Sequence, residues 1–187
     1  HALVFMNQIH SNKVQIINDE DFNTPPKCDA LITNKRNKPL MVMVADCAPI
    51  LLYDPKKQVI AVAHAGRMGA FNDIVTLTIN SMQENFSSKP KDILVSIGAK
   101  IGVCCYEVGE DIANEAKSLG FDYAISSVEN RYYLDINTIL QKQLLACGIV
   151  AEHLEIDTTC TACNTDTYYS YRAEGMTGRF AGVMMLR

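Results

Sequence analysis

The sequence predicts an α/β fold, of the α+β kind, with mixed β-sheets flanked by helices in a single domain over residues 1–187. Three observations predict it: continuous apolar runs of strand length, a helical period between two of them, and no internal repeat or low-complexity linker. With 48% hydrophobic and 20% charged residues, a chain of 187 residues buries one sizeable core without a second domain.

Taken in order, the chain enters a strand within a few residues of His1, to which no function is given. Residues 40–44 (LMVMV) and 59–63 (VIAVA) are apolar throughout and bounded by polar or turn residues, as in strands covered on both faces. Cys47 and His64 are then expected just past strand ends. The apolar or small positions Ile74, Leu77, Thr78, Ser81, Met82 and Phe86 follow a helical period that stops before Ser87-Ser88-Lys89-Pro90. Residues 93–97 (ILVSI) read as a buried strand running into a glycine-containing loop, residues 98–109, with the layout of an active-site loop. A helix over 137–147 stops at Gly148, and residues 154–156 and 181–186 read as strands. Tyr168, Tyr169 and Tyr171 form a stripe expected to build a half-buried strand.

A net charge of −4 and a pI near 5.5 provide no basic field for DNA or RNA, so small molecules are the expected partners. The apolar runs are strand-sized, far below the roughly 20 residues that span a bilayer, so no membrane partner is expected. Seven cysteines, an odd number, with no charged-then-apolar leader ahead of them, point to a reducing cytoplasm and not to a disulfide framework. A monomer or weak homo-oligomer is expected.

Soft-metal ligands concentrate in one place. The chain holds four histidines, and His10 and His64 sit in polar motifs on either side of Ala45-Asp46-Cys47. Two imidazoles and one thiolate suit an open zinc site, and their wide separation in sequence excludes a zinc finger. Ligands gathered by the fold from separate strand ends, with a fourth position left for water or substrate, follow the catalytic pattern. Copper is the alternative: with Met43 or Met68 as an axial ligand the same three residues make a blue-copper-like site, whereas four histidines cannot build a trinuclear oxidase cluster. Each residue also has a plainer reading, His10 as a surface histidine and Cys47 as a small buried side chain. Cys104-Cys105 and Cys160-Thr161-Ala162-Cys163 are assigned no metal, because neither has a second cysteine pair near it in sequence.

Seven motifs in order resemble those of the YfiH-like family, also called the laccase-domain family: Gln8-Ile9-His10; Asp29-Ala30-Leu31-Ile32-Thr33-Asn34; Ala45-Asp46-Cys47-Ala48-Pro49-Ile50; His64-Ala65-Gly66; Cys104-Cys105-Tyr106-Glu107-Val108-Gly109; Cys160-Thr161; and Ser170-Tyr171-Arg172 followed by Thr177-Gly178-Arg179. The resemblance implies zinc held by His10, Cys47 and His64. It also implies phosphorolysis of adenosine, inosine, guanosine and methylthioadenosine, together with adenosine deamination, after an older reading as a copper-dependent polyphenol oxidase. Two departures stand out. The family's usual His-Ala-Gly-Trp-Arg-Gly is here His64-Ala65-Gly66-Arg67-Met68-Gly69, which loses an aromatic and moves the cation to Arg67. The family's N-terminal segment has no counterpart before Gln8, so an absent segment is expected.

The chemistry can be assigned to residues within that resemblance. Zinc lowers the pKa of its water to about 7, which suits attack on an amidine-like carbon, and Asp46 or Glu107 are the candidate proton carriers. Phosphorolysis needs an anion pocket, for which Arg172 and Arg179 offer planar donor forks and Gly66 with Arg67 a close backbone approach next to a helix start. Arg172 and Arg179 as plain surface cations, and Asp46 and Glu107 as a loop cap or ion pair, are the alternatives. At the level of the whole protein, a metal-free cysteine hydrolase with Cys47 as nucleophile and a nucleoside-binding protein without turnover stay open.

Overall fold

The computed structural model describes residues 3–18 and 24–187; His1 lies outside them. Along the chain run β1 (Val4–Phe5), β2 (Val14–Ile16), β3 (Ala30–Thr33), β4 (Leu40–Val44), β5 (Ala48–Asp54), β6 (Val59–Ala65), α1 (Arg67–Phe71), α2 (Ile74–Phe86), β7 (Leu94–Ile97), β8 (Glu107–Val108), α3 (Glu110–Ser118), β9 (Ile125–Val128), β10 (Arg131–Leu134), α4 (Ile136–Ala146), β11 (Leu154–Ile156), α5 (Tyr171–Glu174) and β12 (Phe180–Met184). They make a six-stranded sheet, β11-β7-β5-β6-β3-β2, and two three-stranded sheets, β1-β4-β12 and β8-β10-β9. The large sheet is mixed: β2 with β3 and β11 with β7 are parallel, while the pairings among β3, β6, β5 and β7 are antiparallel. The expected α/β architecture of mixed sheets flanked by helices is therefore the one observed.

The continuous apolar run of β6 has a simple cause. All seven of its residues are buried, because both faces of the central sheet are covered. Ala61 and Ala63 join Ile32, Ile50 and Leu52 beneath α2 and α4, in a core with Ile74, Ile79, Met82, Ile139 and Leu140. Ile60 and Val62 point the other way, into a second core with Leu31 and with Leu40, Val42 and Val44 of the small sheet. Strand alternation carries His64 onto that second side, in the row of Ile60 and Val62.

Several expectations are corrected. β4 is not covered on both faces: Leu40, Val42 and Val44 are buried, but Met41 and Met43 are only partly so, because β4 lies in the outer sheet. The buried stripe of α2 runs through Ile74, Val75, Thr78, Ile79 and Met82, so that Leu77 projects outward and Ser81 sits at the margin. His64 lies within β6, opposite Pro49, and not past its end. Tyr168 lies in a bend, Tyr169 in irregular chain, and Tyr171 opens α5, so no tyrosine strand forms.

The helix α4 begins where Asp135 accepts the Thr138 N–H at 3.1 Å and the Thr138 hydroxyl at 2.6 Å. Its Gln143 donates to the Ala70 carbonyl at 2.7 Å, tying α4 to the short helix that follows the His64 strand. Among the described residues, no helix is long and apolar enough to cross a membrane.

Candidate functional site

Three segments bring together side chains that could hold a metal ion. The loop before β2 carries His10, the bend between β4 and β5 carries Cys47, and β6 carries His64. The ligating atoms of all three lie within 4.8 Å of one another. The His10 and His64 rings meet edge to face with centroids 4.8 Å apart. His64 is buried, whereas His10 is exposed, so the cluster has one wall in the core and one open to a cavity.

A buried carboxylate organises the group. Asp29, fully buried just before β3, takes the His64 Nδ1–H at 2.9 Å. The same carboxylate accepts the backbone N–H of His10 at 3.0 Å, that of Ser11 at 2.6 Å and the Ser11 hydroxyl at 2.7 Å. One side chain thus sets the orientation of one imidazole and the loop that presents the other, and it leaves Nε2 of His64 free to face the cluster. The His10 loop is pinned again by Gln8, whose amide donates to the Met43 carbonyl at 2.7 Å and accepts the Met43 N–H at 2.9 Å. The motif containing Asp29 was legible, but its role was not. The signal was an acidic residue directly ahead of the apolar run Ala30-Leu31-Ile32, where an unpartnered charge is too costly to bury.

Electrostatics matches the geometry. Burial works against ionisation of Asp29, yet the His64 and Ser11 hydrogen bonds outweigh it and bring the carboxyl down to about 2. Burial likewise opposes the charge on His64, but Asp29 and Cys47 lift it to about 9. The Cys47 thiol, pushed up by burial, is drawn down on balance to about 7 by hydrogen bonds and charge from His10 and His64. The set is therefore a ready source of thiolate at neutral pH.

Gly66 explains itself by contact. A Cβ there would stand 2.7 Å from Cys47 Sγ and 3.6 Å from His10 Cδ2, so the glycine makes room for the Cys47 sulfur. The structure places it at the cluster, at the start of the short α1.

The cluster forms part of the wall of a cavity of about 1200 Å³, also lined by Asp46, Arg67, Tyr106, Tyr171, Arg172 and Arg179. Three arginines thus line one cavity. Arg67 pairs with Glu115 at 2.6 Å, and Arg179 donates to the Thr177 and Gly178 carbonyls at 3.0 and 2.8 Å. Arg172 donates to the Glu107 carbonyl at 2.8 Å, and its guanidinium carbon lies 5.2 Å from the centre of the Tyr106 ring.

The two carboxylates expected to carry protons differ. Asp46 lines the cavity in a left-handed conformation, φ +77°, and its two oxygens accept the Thr161 hydroxyl at 2.7 Å and the Arg172 N–H at 2.6 Å. Glu107 is not brought to the cluster; its exposed carboxylate faces Arg131 at 3.7 Å. Of the two methionines considered as axial ligands, Met43 lines the cavity and Met68 is exposed on α1.

Residues 1–187 match a family model described as multi-copper polyphenol oxidoreductase laccase. A purine nucleoside phosphorylase of Corynebacterium glutamicum is 40% identical over 186 residues, covering 98% of this chain and 74% of that protein. The purine nucleoside phosphorylase YlmD of Bacillus subtilis is 30% identical over 188 residues, covering 94% and 68%. Among solved structures, a hypothetical protein YfiH of Bacillus licheniformis superimposes with a TM-score of 0.93 at 28% identity, over 99% of this chain and 74% of that one. YlmD of Geobacillus stearothermophilus gives 0.90 at 27% identity, over 99% and 73%.

Proposed function

The chain belongs to the family described as multi-copper polyphenol oxidoreductase laccase, and from that premise we propose that it is a zinc-dependent purine nucleoside phosphorylase that also deaminates adenosine. The observation that carries the reading is the joint placement of the His10–Cys47–His64 cluster and three arginines on one cavity.

The donor set fits zinc. Two imidazole nitrogens and a thiolate within 4.8 Å of one another, a carboxylate behind His64 and a glycine cleared for the sulfur are the features of a three-ligand site with an open face. Zinc held there supplies Lewis acidity and lowers the pKa of an adjacent water to about 7.

The rest of the chemistry belongs to the chain. Arg172 and Arg179, with Arg67 in the same cavity lining, hold phosphate so that one of its oxygens attacks C1′ of the ribose; the glycosidic bond breaks and its electron pair leaves with the purine. Tyr106 and Tyr171 offer faces for the base. Asp46, fixed by Thr161 and by the start of α5, is the carboxylate placed to pass a proton within the cavity, whereas Glu107 acts through its backbone carbonyl on Arg172. Adenosine, inosine, guanosine and methylthioadenosine are the proposed substrates. The chain is read as one domain over residues 1–187, acting in the cytoplasm.

Phenol oxidation by copper is disfavoured by ligand supply. Of four histidines, His10 and His64 are in the cluster and His153 lies in a turn away from it, so a trinuclear centre lacks its imidazoles. The lowered Cys47 thiol beside a raised His64 gives specific support to a second reading, a metal-free cysteine hydrolase.

Metal-quantified protein incubated with adenosine, with and without phosphate, separates the readings. Adenine with ribose 1-phosphate only in the presence of phosphate is the expected result, with inosine as the deamination product. Oxygen consumption dependent on copper, or turnover that resists chelators and stops with a thiol reagent, contradicts it.

A further inference from the structure

Four cysteines outside the cavity converge although the sequence separates them into two pairs. Cys104 and Cys105 lie in the turn before β8, and Cys160 and Cys163 bracket the short 3-10 turn Thr161–Cys163. The four sulfurs lie within 4.8 Å of one another. Cys163 Sγ is 3.3 Å from Cys105 Sγ and 3.6 Å from Cys104 Sγ.

Ordinary packing does not account for this. A buried cysteine behaves as a small apolar group, but here Cys104 and Cys163 are exposed and only Cys160 is buried. Pairwise oxidation does not account for it either. Cys163 has two sulfur neighbours at nearly the same distance, so the arrangement singles out no disulfide pairing. A single tetrahedral ion uses all four. With zinc–sulfur bonds of about 2.3 Å, tetrahedral geometry separates the sulfurs by about 3.8 Å, in the range found here.

The backbone is shaped around the cluster. Gly102 N–H donates to Cys160 Sγ at 3.1 Å, the kind of bond that stabilises a thiolate ligand. A Cβ at Gly102 would stand 3.1 Å from Cys160 Cβ and 3.2 Å from Cys104 Sγ, so a side chain there would press the two segments apart by a few tenths of an ångström. Bonds from Lys100 N–H to the Thr159 carbonyl and from Thr161 N–H to the Lys100 carbonyl hold the segments in register.

We propose that Cys104, Cys105, Cys160 and Cys163 form a second, structural site for a soft divalent ion, with zinc the ion it fits best. Binding displaces the four thiol protons to solvent and involves no change of oxidation state. The ion clips the loop after β7 to the turn after β11. Both segments hold Asp46, through Ile101 N–H to its carbonyl at 2.9 Å and Thr161 Oγ to its carboxylate at 2.7 Å, so the clip fixes the wall next to Cys47. This site stands whether or not the cavity turns over nucleosides.

The test is zinc content and zinc environment in protein purified under reducing conditions. Wild type is expected to hold two zinc ions per chain, with sulfur outnumbering nitrogen in the averaged X-ray absorption shell. A His10→Ala/Cys47→Ala variant, which leaves the buried Asp29–His64 pair intact, is expected to keep one ion in an all-sulfur shell, and its cobalt form to show tetrathiolate charge-transfer bands. Cys160→Ser/Cys163→Ser is expected to lose that ion and keep the other. One zinc in wild type with a nitrogen-rich shell, no zinc in the cavity variant, or a disulfide among the four cysteines would overturn the proposal. The wild-type spectrum decides the matter even where a variant does not fold.

Discussion

The two clusters of metal-binding side chains teach by contrast. The cavity cluster hangs on the core: His64 belongs to a fully buried strand, and Asp29 behind it is out of reach of solvent. It brings together three side chains that could hold a metal ion, on the wall of the cavity. The four-cysteine cluster is built from loop and turn, supplies its own four ligands, and closes around whatever it holds. An open, core-anchored site is suited to chemistry, and a closed, loop-borne one to holding a fold together. The two meet at Asp46, which is bonded to both segments of the clip and adjoins Cys47.

The largest break in this contrast comes from removing the core anchor. His64→Ala is expected to abolish phosphorolysis and deamination together, by more than about a hundredfold, with one zinc per chain still bound at the cysteines; product chromatography with metal analysis checks it. Asp29→Asn keeps all three ligands but loses the carboxylate that orients them. A loss of about 10- to 100-fold in cavity zinc affinity is expected, measured by competition with a chelating dye. Gly66→Ala should act in the same direction at the small end of that range, because its Cβ displaces the Cys47 sulfur while the fold is kept.

Arg172→Ala and Arg179→Ala sharpen the contrast from the cavity side. Their effect is expected mainly in the KM for phosphate, with zinc content unchanged. A fall in zinc content would mean that the arginines serve the clusters and not the substrate.

His10, Cys47 and His64, which the structure brings together, stood out in the sequence because histidine is scarce here and His10 and His64 sit in polar motifs. β6 and α2 were legible because a strand buried on both faces and a helix on a sheet leave continuous and periodic apolar patterns. Asp29 was in view as a motif without a role, since a hydrogen bond to a residue 35 positions away leaves no local pattern. The cysteine cluster is hidden in the sequence for the same reason: its pairs lie more than fifty residues apart and are brought together by the backbone contacts around Lys100 and Gly102. For Glu107 a motif position does not say whether the carboxylate or the carbonyl faces the site: its carboxylate faces Arg131 and its carbonyl accepts from Arg172.

The smallest expected effect is on pH dependence without metal. His64, raised from 6.5 to about 9, contributes stability that is full below pH 6.5 and lost as the pH rises through about 9. Cys47, lowered from 9.0 to about 7, contributes stability that is present above pH 9 and lost as the pH falls through about 7. In chelator-treated protein, alkylation of Cys47 should therefore rise with a midpoint near pH 7, and the Tm advantage over His64→Gln should fade above pH 9. A midpoint near 9 would mean that the imidazoles do not support the thiolate.

The most direct measurement is to return zinc stepwise to metal-free Cys160→Ser/Cys163→Ser protein and follow phosphate-dependent release of adenine from adenosine. Activity is predicted to rise in proportion to zinc and to level off at one ion per chain. Full turnover before any zinc is added would contradict the assignment of the chemistry to the His10–Cys47–His64 site.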